Sequence, residues 1–299
     1  MTDQAEKLRG AAGRADLQSP ALRKTPTGCR VVTVASGKGG VGKTSLVLNL
    51  ALTLTKMHYR VVVFDADLGL ANVDVLVNAV ARYNLGDVIS GERDIREIII
   101  EGPLNLKIVP GGTGLYDLAN LDQEQRRMLL EKLKDLENEG DVLIIDAAAG
   151  LSRSVISFIG AADDFILVTT PEPTALTDAY GVLKVIAEQG LRKQIYVVVN
   201  FARQMQQGDR AFERLKRVTR RYLPALELLY LGEMRYDDVV SKAVYDFVPF
   251  VLSYPRSAAA LSLSRIAWRY TAGDNRCLVD ERQAGFFGRL KDFFNERGP

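Results

Sequence analysis

Arg30-Val31-Val32-Thr33-Val34-Ala35-Ser36-Gly37-Lys38-Gly39-Gly40-Val41-Gly42-Lys43-Thr44 is the stretch on which the fold turns. Residues 30 to 35 are β-branched and apolar enough to be a buried strand, and from Ser45 to Lys56 apolar residues recur at helical spacing. Between them lies Gly37 to Thr44, a match to G-x-x-x-x-G-K-[ST] in the strand–loop–helix setting that gives the pattern meaning. Its glycines allow backbone N–H groups to turn inward around phosphate oxygens, and the helix that begins near Ser45 adds its positive end. Gly37, Lys38, Gly39, Gly40, Val41, Gly42, Lys43, Thr44 and Ser45 are therefore the expected ATP cradle. Lys43 is expected on the β- and γ-phosphates, with the Thr44 hydroxyl on Mg²⁺.

Outward from the loop, further apolar runs alternate with helical patterns. Strands are expected at Tyr59 to Asp65, Leu106 to Val109, Asp141 to Asp146, Asp164 to Thr169, Gln194 to Asn200 and Leu226 to Leu231. Helices are expected at Gln123 to Asn138, Ala175 to Gln189 and Arg210 to Tyr222. Such alternation specifies an α/β fold with a mostly parallel central sheet and helices on both faces. With 299 residues, 47% of them hydrophobic, the chain can bury one core of about 250 residues but not a second full domain. Residues 1–28 are polar and broken by Gly10, Gly13, Pro20 and Pro26, and read as a flexible arm; 29–272 is the core, 273–284 a linker and 285–299 an amphipathic tail.

A net charge of +2 confines any basic partner site to a local patch, and no nucleic acid is expected as the main partner. Cys29 and Cys277 stand alone, which speaks against a zinc or iron–sulfur site and against a disulfide framework. With no spanning apolar run and no leader-like segment, the cytoplasm is the expected compartment.

Lys38 is not required by the general phosphate loop. One use for it is to cross a dimer interface and neutralise phosphate charge on a partner's ATP, as an arginine finger does; the other reading is a solvated loop lysine. The K-G-G-x-G-K-T arrangement resembles the deviant Walker A family of P-loop NTPases of the MinD/ParA type. That resemblance implies an ATPase with Mg²⁺ and an ATP-dependent homodimer. It places Lys38, Lys43 and Asp67 in catalysis, with Asp67 orienting the attacking water, and it puts Asp65 and Asp146 on Mg²⁺ through water. Asn200 would bond the adenine edge. Ala147 stands where relatives often carry a hydroxyl, and Glu233 to Asp237 where they have a Pro-containing loop, which leaves the base contacts there open.

Within that family, Asp65-Ala66-Asp67-Leu68-Gly69-Leu70-Ala71-Asn72-Val73-Asp74 and Pro171-Glu172-Pro173-Thr174-Ala175-Leu176-Thr177-Asp178 look like the FlhG (FleN, YlxH) branch, which regulates flagellar number and placement. The arm string Asp3-Gln4-Ala5-Glu6-Lys7-Leu8-Arg9 is similar to that branch's activator motif, so Gln4, Leu8 and Arg9 would contact an FlhF-type signal-recognition GTPase. In the tail, Phe286, Phe287, Leu290, Phe293 and Phe294 form one apolar helical stripe flanked by basic residues. That stripe suits a reversible helix on the anionic inner face of the cell membrane, or else a terminal helix packed on the core. The basic helix from Arg210, with Phe212, Leu215, Val218 and Tyr222 turned to the core, is either a solvated face or a docking surface for an acidic partner such as a flagellar switch (C-ring) component. A division-site MinD and a ParA-like DNA or cargo positioner are the alternatives.

Overall fold

β1 (Arg30–Ser36) is buried along its whole length, so it needs a paired neighbour on each edge and a helix over each face. It has them: β5 (Val142–Ala149) pairs parallel on one side and β6 (Asp164–Thr169) parallel on the other. Beyond β5 come β2 (Val61–Ala66), β4 (Lys107–Val109) and the short β3 (Ile100–Glu101); beyond β6 come β7 (Gln194–Ala202) and β8 (Glu227–Arg235). The eight-stranded order is β3-β4-β2-β5-β1-β6-β7-β8, parallel except for the β3–β4 pair. The computed structural model describes residues 28–67, 73–79, 81–111, 123–191, 194–272 and 285–296. The arm, with Gln4, Leu8 and Arg9, and the 273–284 linker lie outside the described residues.

Alternation along β1 divides the core. Val32 and Val34 point to one face, where α1 (Lys43–Lys56) lies with α7 (Asp238–Tyr245), α8 (Phe250–Ser253) and α9 (Ala258–Ala272). Val31 and Ala35 point to the other, covered by α2 (Leu85–Ile89), α3 (Gln123–Leu133), α4 (Arg153–Ala161), α5 (Pro173–Glu188) and α6 (Gln207–Tyr222). The helical pattern from Gln123 continues after α3 as a 3-10 turn, Lys134–Asn138. α1 buries apolar side chains almost all round, because it runs from the centre of the sheet beneath α9.

At the end of the sheet away from the phosphate loop, a buried polar cluster fixes three elements. Arg30 donates to both oxygens of Asp164, at 2.5 and 3.0 Å, and the Tyr270 hydroxyl of α9 donates to Asp164 Oδ2 at 2.8 Å.

A tenth helix, α10 (Phe286–Glu296), closes the described chain against α4 and α3. The sequence reads this tail as separate from the core; in the structure Phe286, Phe287 and Leu290 are buried among Leu129, Leu130, Leu133 and Phe158. The stripe finds an apolar face of the core before any lipid. Polar contacts hold the same position: Phe287 N–H to Glu137 Oε1 at 3.1 Å, and Arg289 to Ala161 O at 2.7 Å and to Asp163 Oδ1 at 2.5 Å. Phe293 and Phe294 continue the same helix.

Candidate nucleotide site

The strand order changes direction at β1, whose neighbours β5 and β6 both come much later in the chain, and ligands in open α/β sheets bind where such a change meets the C-terminal strand ends. The loop Gly37 to Gly42 sits there. Gly40 and Gly42 have φ of 77° and 80°, which places them in the left-handed region that favours glycine. Gly42 is also the residue from which α1 starts, so Lys43 and Thr44 open the helix at its positive end. Gly37 is fixed from another side, since a Cβ there would overlap the backbone carbonyl of Asp178 in α5. Ser36 Oγ donates to Lys38 O at 2.9 Å and holds the entry to the loop. The Lys38 side chain is 45% exposed, with Nζ 3.7 Å from Glu172, which is itself 68% exposed.

Strand register brings the carboxylates together. Asp65 on β2 is paired with Asp146 on β5, and Asp146 with Val34 on β1, so both acids stand at the sheet edge behind the loop. Asp146 is fully buried; Oδ1 accepts from Lys43 Nζ, and Oδ2 has no hydrogen-bond partner among the described residues. Burial raises its pKa, against the lowering effect of the Lys43 charge and hydrogen bond and of the Thr44 hydroxyl, while Asp67 adds to the rise. An unsatisfied buried carboxylate oxygen beside a hydroxyl and the phosphate cradle fits the hydration shell of a small hard cation such as Mg²⁺.

Asp67, with Oδ2 4.0 Å from Lys43 Nζ, is partly exposed beside the phosphate loop. Asp65 does something the strand pattern does not suggest. Its two oxygens accept from Asp67 N at 3.1 Å and Val73 N at 3.3 Å, clasping both ends of the loop whose residues 68–72 lie outside the described part.

Asn200, expected on the adenine edge, is bonded to the phosphate loop. Its Nδ2 donates to Val41 O at 2.8 Å and the residue is 1% exposed. Beside it Phe201 and Tyr236 meet edge to face at 6.4 Å between ring centroids, with the Arg203 guanidinium 3.8 Å above the Tyr236 ring. Sequence reading missed this aromatic group; its only signal was the pair of strand ends, β7 and β8, that carry it. In the segment 233–237, Asp237 is committed to structure, accepting from Val239 N at 3.2 Å as the α7 cap and from Ala259 N at 3.3 Å.

Comparison with known proteins agrees with this geometry. An AAA domain family model (AAA_31) matches residues 29–197. The antiactivator FleN of Pseudomonas aeruginosa is 40% identical over 238 residues, 80% of this chain and 85% of FleN. The flagellum site-determining protein YlxH of Helicobacter pylori is 32% identical, with 80% of each chain covered. The chain belongs to the FleN/YlxH family of MinD-like ATPases. Among solved structures, the cell-division ATPase MinD of Pyrococcus furiosus superposes with a TM-score of 0.65 at 26% identity, covering 80% of this chain and 96% of that one. MinD of Pyrococcus horikoshii, solved with Mg-ADP, gives 0.65 at 27% identity, covering 80% and 94%.

The basic helix α6 departs from expectation in this member of the FleN/YlxH family. Phe212 and Leu215 are buried as expected, together with Ala211 and Thr219, but Val218 and Tyr222 are exposed. The buried stripe runs through Ala211, Phe212, Leu215 and Thr219, so the outer face carries an aromatic and an aliphatic group among the arginines.

Proposed function

We propose that this ATPase is a dimerising switch that regulates flagellar number and placement. ATP·Mg²⁺ closes two copies face to face, and hydrolysis releases them. Thr44, Asp65 and Asp146 would hold the Mg²⁺, which would supply positive charge at the phosphates, and Asp67 would orient the attacking water. The flagellar assignment follows the relatives called an antiactivator and a flagellum site-determining protein. The observation that carries the switch is Lys38: it is not buried in its own site, and its ion pair among the described residues joins two exposed side chains across 3.7 Å. Exposed pairs of that kind are worth roughly 0–1 kcal/mol, so a partner's phosphate can displace Glu172 at little cost. Lys38→Ala is expected to leave Mg·ATP affinity within about twofold while weakening ATP-dependent dimerisation at least about tenfold, the scale of one well-placed charge contact. Light scattering with a non-hydrolysed ATP analogue reads this, and undiminished dimers in the variant would remove the cross-interface role.

On this reading the dimer cycles on and off the inner face of the cell membrane through α10, and the arm stimulates an FlhF-type GTPase. Among the described residues no helix is long and apolar enough to cross a bilayer, so contact would be interfacial. Membrane contact requires α10 to leave the α3–α4 face. Asp163→Asn removes a charge that holds Arg289 without altering the tail, and its remaining amide oxygen can still accept from Val31 N. The variant is therefore expected to bind anionic phosphatidylglycerol vesicles at least about tenfold more tightly in the absence of ATP, read by sedimentation, as a lost charge-assisted bond of about 1.5–3 kcal/mol implies. Equal sedimentation of the two proteins would count against α10 as the lipid-binding element.

A further inference from the structure

We propose that the outer face of α9 is a second lipid-contact surface, built from Leu261, Arg265 and Trp268 with Arg256 and Arg269 at its margins, and that it meets anionic headgroups independently of α10. The proposal rests on the reading that this protein visits the membrane, but it assigns the contact to a different element. Ala259, Ala260, Leu263, Ile266, Ala267 and Tyr270 turn one side of α9 onto the sheet and α1. A helix with such a buried side is expected to be polar on the other. Here the other side carries a leucine and the chain's single tryptophan. At 3.6 residues per turn Leu261, Arg265 and Trp268 fall close to one line, and Leu261 and Trp268 are 53% and 52% exposed.

The charge around them has one sign. No Asp or Glu occurs from Phe247 to Gly273, while Arg256, Arg265 and Arg269 are all exposed. Arg265 donates to Ser262 Oγ at 3.3 Å and Arg269 to Leu231 O at 3.0 Å, neutral acceptors that hold the guanidinium groups and leave their charge uncancelled. Partner segments are commonly held in grooves, whereas the rounded side of one helix meets a planar lipid surface along its length. An indole rests at the boundary between acyl chains and water, and arginines beside it draw the surface toward anionic lipid.

Position supports the assignment. Tyr270 ties the end of α9 to Asp164, at the end of the sheet away from the phosphate loop, so lipid at Trp268 lies apart from the nucleotide site. The chain leaves α9 at Ala272, one turn beyond Trp268, on its way to α10. Docked α10 packs on the opposite side of the sheet, so the α9 face is open whether or not the tail is released.

Trp268 reports on its own surroundings, because no other tryptophan emits. When phosphatidylglycerol vesicles are added to the full chain without nucleotide, its emission is expected to move to shorter wavelength, and phosphatidylcholine vesicles at the same concentration leave it in place. Arg265→Gln, at an exposed position, is expected to raise the half-saturating lipid concentration about fivefold, the effect of one basic charge at an anionic surface. Co-sedimentation with the same vesicles separates this proposal from the tail. If a non-hydrolysed ATP analogue drives the protein onto vesicles while Trp268 emission stays unchanged, the tail alone holds lipid and the α9 assignment is wrong. If emission shifts but the analogue adds nothing to sedimentation, the α9 face stands and the ATP-driven tail cycle falls. Absence of both emission shift and sedimentation overturns both. A shift with polyglutamate and none with vesicles gives the face to an acidic protein segment and likewise overturns the lipid assignment.

Discussion

Lys43→Ala is expected to lower ATP turnover by about two to three orders of magnitude, the usual result of removing a charge that faces the transferred phosphoryl group. It should also change how stability depends on pH. Asp146 is buried with Lys43 as its cation, and burial already raises its pKa; removing the lysine takes away both the charge and the hydrogen bond that oppose the rise. A carboxyl whose folded pKa exceeds its unfolded value of about 3.9 makes the native state bind the proton more tightly. Its burial then costs stability progressively as pH rises through the window between those two values, and the full cost is present above the folded pKa. The variant should thus unfold at a lower temperature than the parent at about pH 7, and the gap should narrow as pH falls toward the unfolded value. Thermal midpoints measured for both proteins across that range test it. A gap that stays constant would mean that Lys43 does not hold Asp146 in the nucleotide-free protein.

The second large effect is remote from ATP. Asp164→Ala deletes the buried carboxylate to which both the Arg30 guanidinium and the Tyr270 hydroxyl donate. The Tyr270 hydroxyl, deeply buried and next to Asp164, has a pKa held well above its ordinary value, so it is a donor throughout the range in which the protein folds. Removing one member of a buried ion pair costs about 3–5 kcal/mol, against about 1 kcal/mol for Tyr270→Phe, which deletes only a hydroxyl donor. Domains are stable by roughly 5–15 kcal/mol, so the first variant should lie near its unfolding midpoint in modest urea while the second behaves almost as the parent. If the two unfold alike, the cluster owes its strength to packing and not to charge.

The central strands were legible because a parallel strand covered on both faces must be apolar at consecutive positions, as Val61 to Phe64 and Val197 to Val199 are. β3 was not, since two residues, one of them Glu101, carry no period. α7 and α8 were obscured by their shortness and by the turn at Phe247, which has a φ of 54°. In the site, Gly37 to Thr44 is one contiguous run, and its role can be read without knowing where any other residue goes. Asp65 and Asp146 are brought side by side by the register of β2 on β5, which the sequence does not show. What the pattern could not give is the contact between distant parts of the chain: the bond from Asn200 to Val41 O joins positions 159 apart. The tail shows the same limit. Phe286, Phe287 and Leu290 make the same stripe whether core or lipid covers it, and on α6 the buried stripe takes Thr219 while the apolar Val218 beside it is exposed.

The docked α10 makes any lipid affinity of the tail a product of two numbers, the intrinsic affinity of the free helix and the fraction of molecules in which it is free. Three buried apolar side chains, each worth roughly 1.5–3 kcal/mol against exposure, set that fraction well below one, and each 1.4 kcal/mol or so of docking lowers it about tenfold. A protein of this design would be poorly described by a single partition coefficient, because a modest change at the α3–α4 face would alter membrane occupancy by orders of magnitude with no change in the tail itself.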